Sequence, residues 1–297
     1  MSVRHAGAMC TVPGGRIWYE MLNPDAPGTP VVVVHGGPGT PHDYLRSLAE
    51  LLPGHPVLVY DQLGCGRSER PTGPDLWRLP RFVDELEALL AEVGLGEFHL
   101  LAHSFGTMIA CDLVLRGRFR PQTVAMVSPV LSVRRYEQDM QQLLLRLPPH
   151  IARALVAAAR GGPANGFETA EATMFFAERH LCRCDPWPEV LLDVSVATNA
   201  EVRDTLWGPT EFQVSGNLRT YCRLDRLPEL DIPTLLMCGE HDFTPPATCR
   251  SYSRLLPDAR VVIISGASHM PHLEAPEECG ARLRDFFDTA TSTTRSP

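Results

Sequence analysis

The sequence predicts an α/β fold, a mostly parallel central sheet with helices on both faces and an inserted all-helical cap, and three observations carry that expectation. Short blocks of β-branched and apolar residues recur along the chain. Most are continuously apolar, as strands covered on both faces must be. Helical periodicity fills the intervals between them, so strand and helix alternate.

In chain order, the strand blocks are RIWYE at 16–20, VVVVH at 31–35, VLVYD at 57–61, FHLLA at 98–102, TVAMV at 123–127, TLLMC at 234–238 and VVIIS at 261–265. Helical patterns are read at about 41–52, 80–94, 105–116, 246–256 and 274–289. The alternation stops from about 131 to 222, where SVRRYEQDMQQLLLRLPPHIARALVAAARGG and ETAEATMFFAERHLC have helical periodicity and no strand block intervenes. The expected organisation is a core in two parts, 1–131 and 223–297, interrupted by a helical cap over 132–222. The tail TATSTTRSP has neither period nor core residues and is expected to fray.

Composition narrows the partners. A chain of 297 residues, 44% hydrophobic and 21% charged, falls in the globular range. Its formal net charge of −8 comes without a run of Lys or Arg, which disfavours nucleic acid and anionic lipid as partners. The first residues, MSVRHAGAMCTVPGGR, contain no apolar signal core, and nowhere do eighteen apolar residues follow one another, so a cytoplasmic location is expected. Nine cysteines are scattered without paired zinc spacings, which suits free thiols. His180, Cys182 and Cys184 come nearest to a metal motif but have no second ligand cluster, so no metal is expected.

Functional groups of an open α/β sheet gather beyond the carboxyl ends of the strands. Four such ends carry notable residues here: HGGPG at 35–39, Ser104 in AHSFG, Asp242 after TLLMCGEH, and His269 after VVIISGAS. A serine hydroxyl attacks an acyl carbon only when an imidazole takes its proton and a carboxylate orients that imidazole. Taken singly, Ser104 also suits a helix N-cap, Asp242 a turn acid, and His269 an ordinary loop histidine. Together they follow three different strands in the order Ser, Asp, His that α/β-hydrolases use.

His272 and Asp258 compete for two of the roles. His269 follows its strand more closely than His272, and Asp258 precedes the last strand, at the other edge of the sheet. AHSFG departs from the G-x-S-x-G elbow by Ala102, which adds one methyl group, while Gly106 is retained. The backbone amides of Gly37 and Phe105 are the expected oxyanion donors, with Gly36 allowing the main chain close to the substrate.

HGGPG, YDQLGCGRS at 60–68, AHSFG, the stretch 207–242 beginning WGPTEF, and SGASHMPHLEAPE together resemble the proline iminopeptidase (prolyl aminopeptidase) family of α/β-hydrolases. The resemblance covers roughly 12–130 and 205–290 and is weakest through the cap. It implies a cofactor-free serine exopeptidase acting on a small peptide or aminoacylated small molecule with an unblocked amino end. It also implies that Glu211, in GPTEF, pairs with the substrate's α-ammonium group, where taken alone it also suits a solvated loop acid; Trp207, four residues earlier, suits either a wall of that pocket or a structural aromatic. Where the family carries a second acid directly after the aspartate, this chain has Phe243, which implies a more apolar entrance. Some relatives clip aminoacyl groups from non-peptide metabolites, an alternative that this departure keeps open. An esterase of the same fold and a non-catalytic small-molecule receptor are the further alternatives.

Overall fold

In the computed structural model, which describes residues 7–161 and 166–293, eight strands form one sheet. They are β1 (Ala8–Val12), β2 (Gly15–Leu22), β3 (Val31–Val34), β4 (Val57–Tyr60), β5 (His99–His103), β6 (Val124–Val127), β7 (Thr234–Gly239) and β8 (Ala259–Ile264). Their spatial order is β1-β2-β4-β3-β5-β6-β7-β8, antiparallel through β1, β2 and β4 and parallel from β4 to β8.

All seven strand blocks read from the sequence form strands. β1 is the additional one. It pairs only with β2 and is mostly exposed, so AMCTV lacks the continuous apolar character that marks the covered strands.

The parallel strands are apolar on both faces because both faces are packed. Val32, Val34, Leu58, Leu100, Ala102, Met126 and Leu236 enter one buried cluster, while their neighbours Val31, Val33, Val57, Leu101, Ala125 and Leu235 enter another. α2 (Leu79–Val93) and α3 (Gly106–Arg116) cover the first face; the single turn α1 (Leu48–Leu51) and the long α11 (Pro276–Thr293) cover the second. Gly94 and Gly117 end α2 and α3 in left-handed conformations that glycine adopts without strain.

Local chemistry redraws some boundaries. The pattern at 41–52 is split into a 3-10 turn, His42–Leu45, and α1. α9 spans Pro246–Ser253, and the last helical pattern divides into α10 (Pro271–Glu274) and α11. α11 continues to Thr293, so the tail is helical through that residue, against the expected fraying; 294–297 lie outside the described residues.

Among the described residues, five α-helices come between β6 and β7: α4 (Val133–Leu144), α5 (Pro149–Ala159), α6 (Gly166–His180), α7 (Glu189–Ala197) and α8 (Ala200–Leu206). Pro148 and Pro149 separate α4 from α5, since an interior proline removes a helical N–H. Residues 162–165, just past α5, lie outside the described residues. The chain leaves and re-enters the sheet layer side by side: Ser132 bridges Cys222, Val133 N donates to Tyr221 O at 2.9 Å, and Arg223 N donates to Leu131 O at 2.9 Å.

Candidate active site

The chain runs from β3 outward to β4 and then back to β5 on the other side of β3. That reversal opens a crevice at the carboxyl ends of β3 and β5. The loop 35–39 and Ser104 both sit there, brought together by the parallel register of Val34 with Ala102.

Ser104 has φ +53°, a left-handed conformation that a side chain tolerates only when its surroundings enforce it. Two bonds do so here: Ser104 N donates to Val127 O at 3.0 Å, and Thr107 N donates to Ser104 O at 2.9 Å as α3 begins. The close approach that the elbow needs falls at Gly106, where a Cβ would stand 2.4 Å from Val34 O and 2.7 Å from His35 O. Ala102 is fully buried within β5, and its methyl group is accommodated in the core.

His269 and Asp242 meet because the loops after β7 and β8 are tied together. Glu240 N donates to Ile264 O and His241 N to Ala267 O, and a Cβ on Gly239 would stand 2.2 Å from Ser268 O. His269 Nδ1 donates to Asp242 Oδ1 at 2.9 Å, which leaves its Nε2 lone pair free to accept a proton. Asp242 Oδ1 also accepts from Thr244 N at 2.8 Å.

Glu274, which the sequence reading did not single out, holds this loop from outside. Its carboxylate accepts from the amides of Ser268 and Met270, on either side of His269, from Ser268 Oγ, and from Arg183 N of the helical insertion. His272 stands apart from the aspartate: its Nε2 lies 3.0 Å from Tyr44 O, and burial lowers its pKa to about 4. Asp258 accepts Thr234 N through its main chain at the start of β7, the opposite end of the sheet from Asp242.

A cavity of about 320 Å³ lies above these groups, walled by the sheet loops below and the inserted helices above. Ser104, His269, Gly37, Glu211 and Phe243 all face it. Among the described residues, neither the Gly37 nor the Phe105 amide donates to another protein group. Phe105 immediately precedes α3, so its amide has the partial positive charge of a helix N-terminus.

Two residues sit differently from expectation. Gly36 is buried beneath the cavity floor, where a Cβ would stand 2.9 Å from the Tyr44 hydroxyl and 3.0 Å from Ser104 Cβ; it permits close packing and does not face the cavity. Trp207 is likewise off the wall. It lies in the core, edge-on to Tyr136 at 4.9 Å between ring centroids, because the aromatic cluster above α4 draws the indole inward.

Tyr136 is the residue that supports Glu211. Its hydroxyl lies 2.9 Å from Glu211 O and 3.2 Å from Oε2. Glu211 is exposed where it opens to the cavity but has protein packed closely around it, and this partial desolvation raises its pKa above the ordinary 4.5, opposed by the Tyr136 hydroxyl, His269, Arg203 and the nearby Trp207 indole. It is the only carboxylate among the described cavity-lining residues; Arg203 is the only arginine or lysine there.

Phe243 stacks on the His269 imidazole, with centroids 3.8 Å apart and planes inclined at 26°. Tyr136 meets the Phe243 ring edge-on at 5.9 Å. An aromatic face over the imidazole fixes its plane.

For metal ligands, the described residues offer one group, His42, Asp43 and Asp61, with ligand atoms within 4.8 Å of one another. His42 Nδ1 is already held by Asp61 Oδ1 at 2.7 Å and Asp43 by Arg67 at 3.2 Å, so their first choice of partner is protein. Among the described residues no helix is long and apolar enough to cross a membrane.

Comparison with known proteins agrees with this architecture. The family model described as alpha/beta hydrolase fold matches residues 29–276. A proline iminopeptidase of Heyndrickxia coagulans is 37% identical over 94% of this chain and 97% of its own. The crystal structure of a Mycobacterium smegmatis proline iminopeptidase superposes with a TM-score of 0.89 at 30% identity, covering 97% of this chain and 100% of the other. That of VinJ superposes with a TM-score of 0.90 at 33% identity and the same coverage. The molecule is an α/β-hydrolase enzyme by fold and by relatives, and within that class the chain belongs to the proline iminopeptidase family.

Proposed function

We propose that this protein is a serine aminopeptidase that removes one residue from an unblocked amino end. The observation that carries the reading is the carboxylate of Glu211, the sole acid among the described residues lining a cavity that also holds Ser104 and His269. A substrate ammonium group paired with Glu211 exchanges its water for a charge-assisted hydrogen bond.

In the proposed reaction, Ser104 Oγ attacks the carbonyl carbon of the residue whose ammonium group Glu211 holds. His269 Nε2 takes the hydroxyl proton, while Asp242 accepts from Nδ1 and stabilises the imidazolium. The carbonyl oxygen becomes negative and is met by the Gly37 and Phe105 amides. Collapse of the tetrahedral intermediate breaks the C–N bond as His269 returns the proton to the leaving amine. Water, deprotonated by the same imidazole, attacks the acyl-enzyme, and the free amino acid departs. The five inserted helices act as a cap that closes the cavity over the substrate.

Phe243 favours a second substrate form, an aminoacyl group on a bulky non-peptide amine. With a ring where the family's second acid is expected, and Phe176, Leu191, Val194 and Phe212 also facing the cavity, the walls suit an apolar group beside the ammonium. A panel of prolyl, alanyl and larger aminoacyl anilides, set against short peptides and apolar amides, tests both forms. Turnover of the anilides with Ser104→Ala inactive supports the aminopeptidase; turnover surviving that substitution would refute it.

A further inference from the structure

We propose that Tyr44 and His103 are positioning residues, forming a hydrogen-bonded chain that fixes the oxyanion loop and His269 relative to one another. The proposal rests on the serine-hydrolase reading above. Neither residue is assigned a role by the proposed reaction, yet both lie between its two halves.

The chain of bonds has one consistent direction. Gly36 N donates to the Tyr44 hydroxyl oxygen at 2.8 Å. The His269 carbonyl, 2.9 Å from His103 Nε2, can only accept, so that nitrogen carries the proton. His103 Nδ1 is then an acceptor, and the Tyr44 hydroxyl, 2.9 Å away, donates to it. In the series Gly36, Tyr44, His103, His269 every donor finds an acceptor.

The series joins three separate loops. Gly36 adjoins the oxyanion amide of Gly37, His103 directly precedes Ser104, and the last acceptor is the main chain of His269 itself. Two further bonds anchor it: Ser128 Oγ donates to the same His269 carbonyl at 3.1 Å, and His272 Nε2 lies 3.0 Å from Tyr44 O. All four side chains are buried. Burial, together with the nearby His269, His272 and His35, holds the His103 imidazole well below its ordinary pKa and so neutral, the form this bond order requires. A chain of buried bonds with every member satisfied is stiff, and breaking one link leaves the others unpaired in a low dielectric.

The side-chain geometry of the amides separates the two ends of His103. Asn presents its polar atoms where the Nδ1 edge lies and keeps the Tyr44 link but drops His269. Gln reaches the Nε2 position and keeps a donor for the His269 carbonyl. The test uses the full chain and the second-order rate of Ser104 labelling by a fluorophosphonate, which needs the base and the oxyanion amides but no substrate ammonium group.

His103→Asn and Tyr44→Phe should each slow labelling at least tenfold, and His103→Gln, which loses the Tyr44 bond but keeps the Gly36–Tyr44 bond and the donor to the His269 carbonyl, should fall between these and the wild type. The Tyr44→Phe/His103→Asn double variant should be far less than multiplicatively slower, because both substitutions cut one chain. KM for an aminoacyl anilide should move less than about twofold. Labelling at the wild-type rate in His103→Asn, or rates in all variants that simply follow their melting temperatures, with His103→Gln as slow as His103→Asn, would overturn the proposal. Wild-type protein that labels but fails to cleave any aminoacyl anilide would instead refute the aminopeptidase reading and leave this one standing.

Discussion

Glu211 and Phe243 make opposite contributions to the same cavity wall, one a partly desolvated charge and the other a neutral ring pressed on the base. Glu211→Gln keeps the shape and removes the charge. A hydrogen bond to a charged group contributes about 1.5–3 kcal/mol. KM for free-amine substrates should therefore rise roughly tenfold to a hundredfold, with kcat within about threefold. Steady-state kinetics on an alanyl anilide would check this, and a change confined to kcat would contradict it. Phe243→Ala removes the ring stacked on His269; emptying a buried phenylalanine site costs about 3 kcal/mol or more, visible in chemical denaturation, and kcat should fall with it. The sequence places both residues through contiguous motifs, GPTEF and GEHDF. It does not reveal that residue 243 would stack on an imidazole twenty-six positions later, nor that Tyr136, remote in the chain, supports Glu211. Those contacts are products of the folded aromatic cluster, and RRYEQDM carries no local signal for them.

At the level of elements, the crevice beyond β3 and β5 depends on how closely α3 can approach the sheet. Gly106→Ala would drive a methyl group into the Val34 and His35 carbonyls and should leave little soluble folded protein. Ala102→Gly should fold and keep its activity at a cost of about 1 kcal/mol, from backbone entropy in a strand. Denaturation curves of the two variants distinguish them; the reverse order would mean that the elbow has been misjudged. The strands were legible because covered parallel strands are apolar throughout, whereas β1, an exposed edge, has no such signature. Glu274 was hidden within HLEAPE for another reason. Its importance comes from four donors gathered from both sides of His269 and from the insertion, and only the backbone path of the loop reveals them. Glu274→Ala should lower kcat/KM at least tenfold and stability by about 1–2 kcal/mol, the cost of leaving partly buried donors unpaired. Wild-type values for both would show that the loop holds itself.

For the whole molecule, a sheet end supplies the nucleophile, base and oxyanion amides, and the inserted helices supply the enclosure that raises the Glu211 pKa. The pH dependence of binding follows from both. Glu211 attracts an ammonium group only when ionised, so its contribution is present above its pKa and lost as the pH falls through it. Because that pKa is raised, the loss begins above the ordinary value of 4.5. On the alkaline side the substrate amine deprotonates near pH 8. A plot of 1/KM against pH should therefore be bell-shaped, and Glu211→Gln should flatten its acid limb; an unchanged limb would assign it elsewhere. The strand blocks and the positions of the three strand-end residues were legible because they sit in contiguous motifs; the spatial order of the strands was not, since it depends on which way each crossover turns. The insertion was legible only as helical, since its shape depends on packing over the sheet.

The most direct test of amino-end recognition is one ratio, kcat/KM for a free alanyl anilide over that for its N-acetyl counterpart. Capping the amine removes the cation and leaves the scissile carbonyl in place, so a ratio of about a hundred or more is predicted. Equal rates would mean that the cavity does not read an amino end, and would contradict the proposed function.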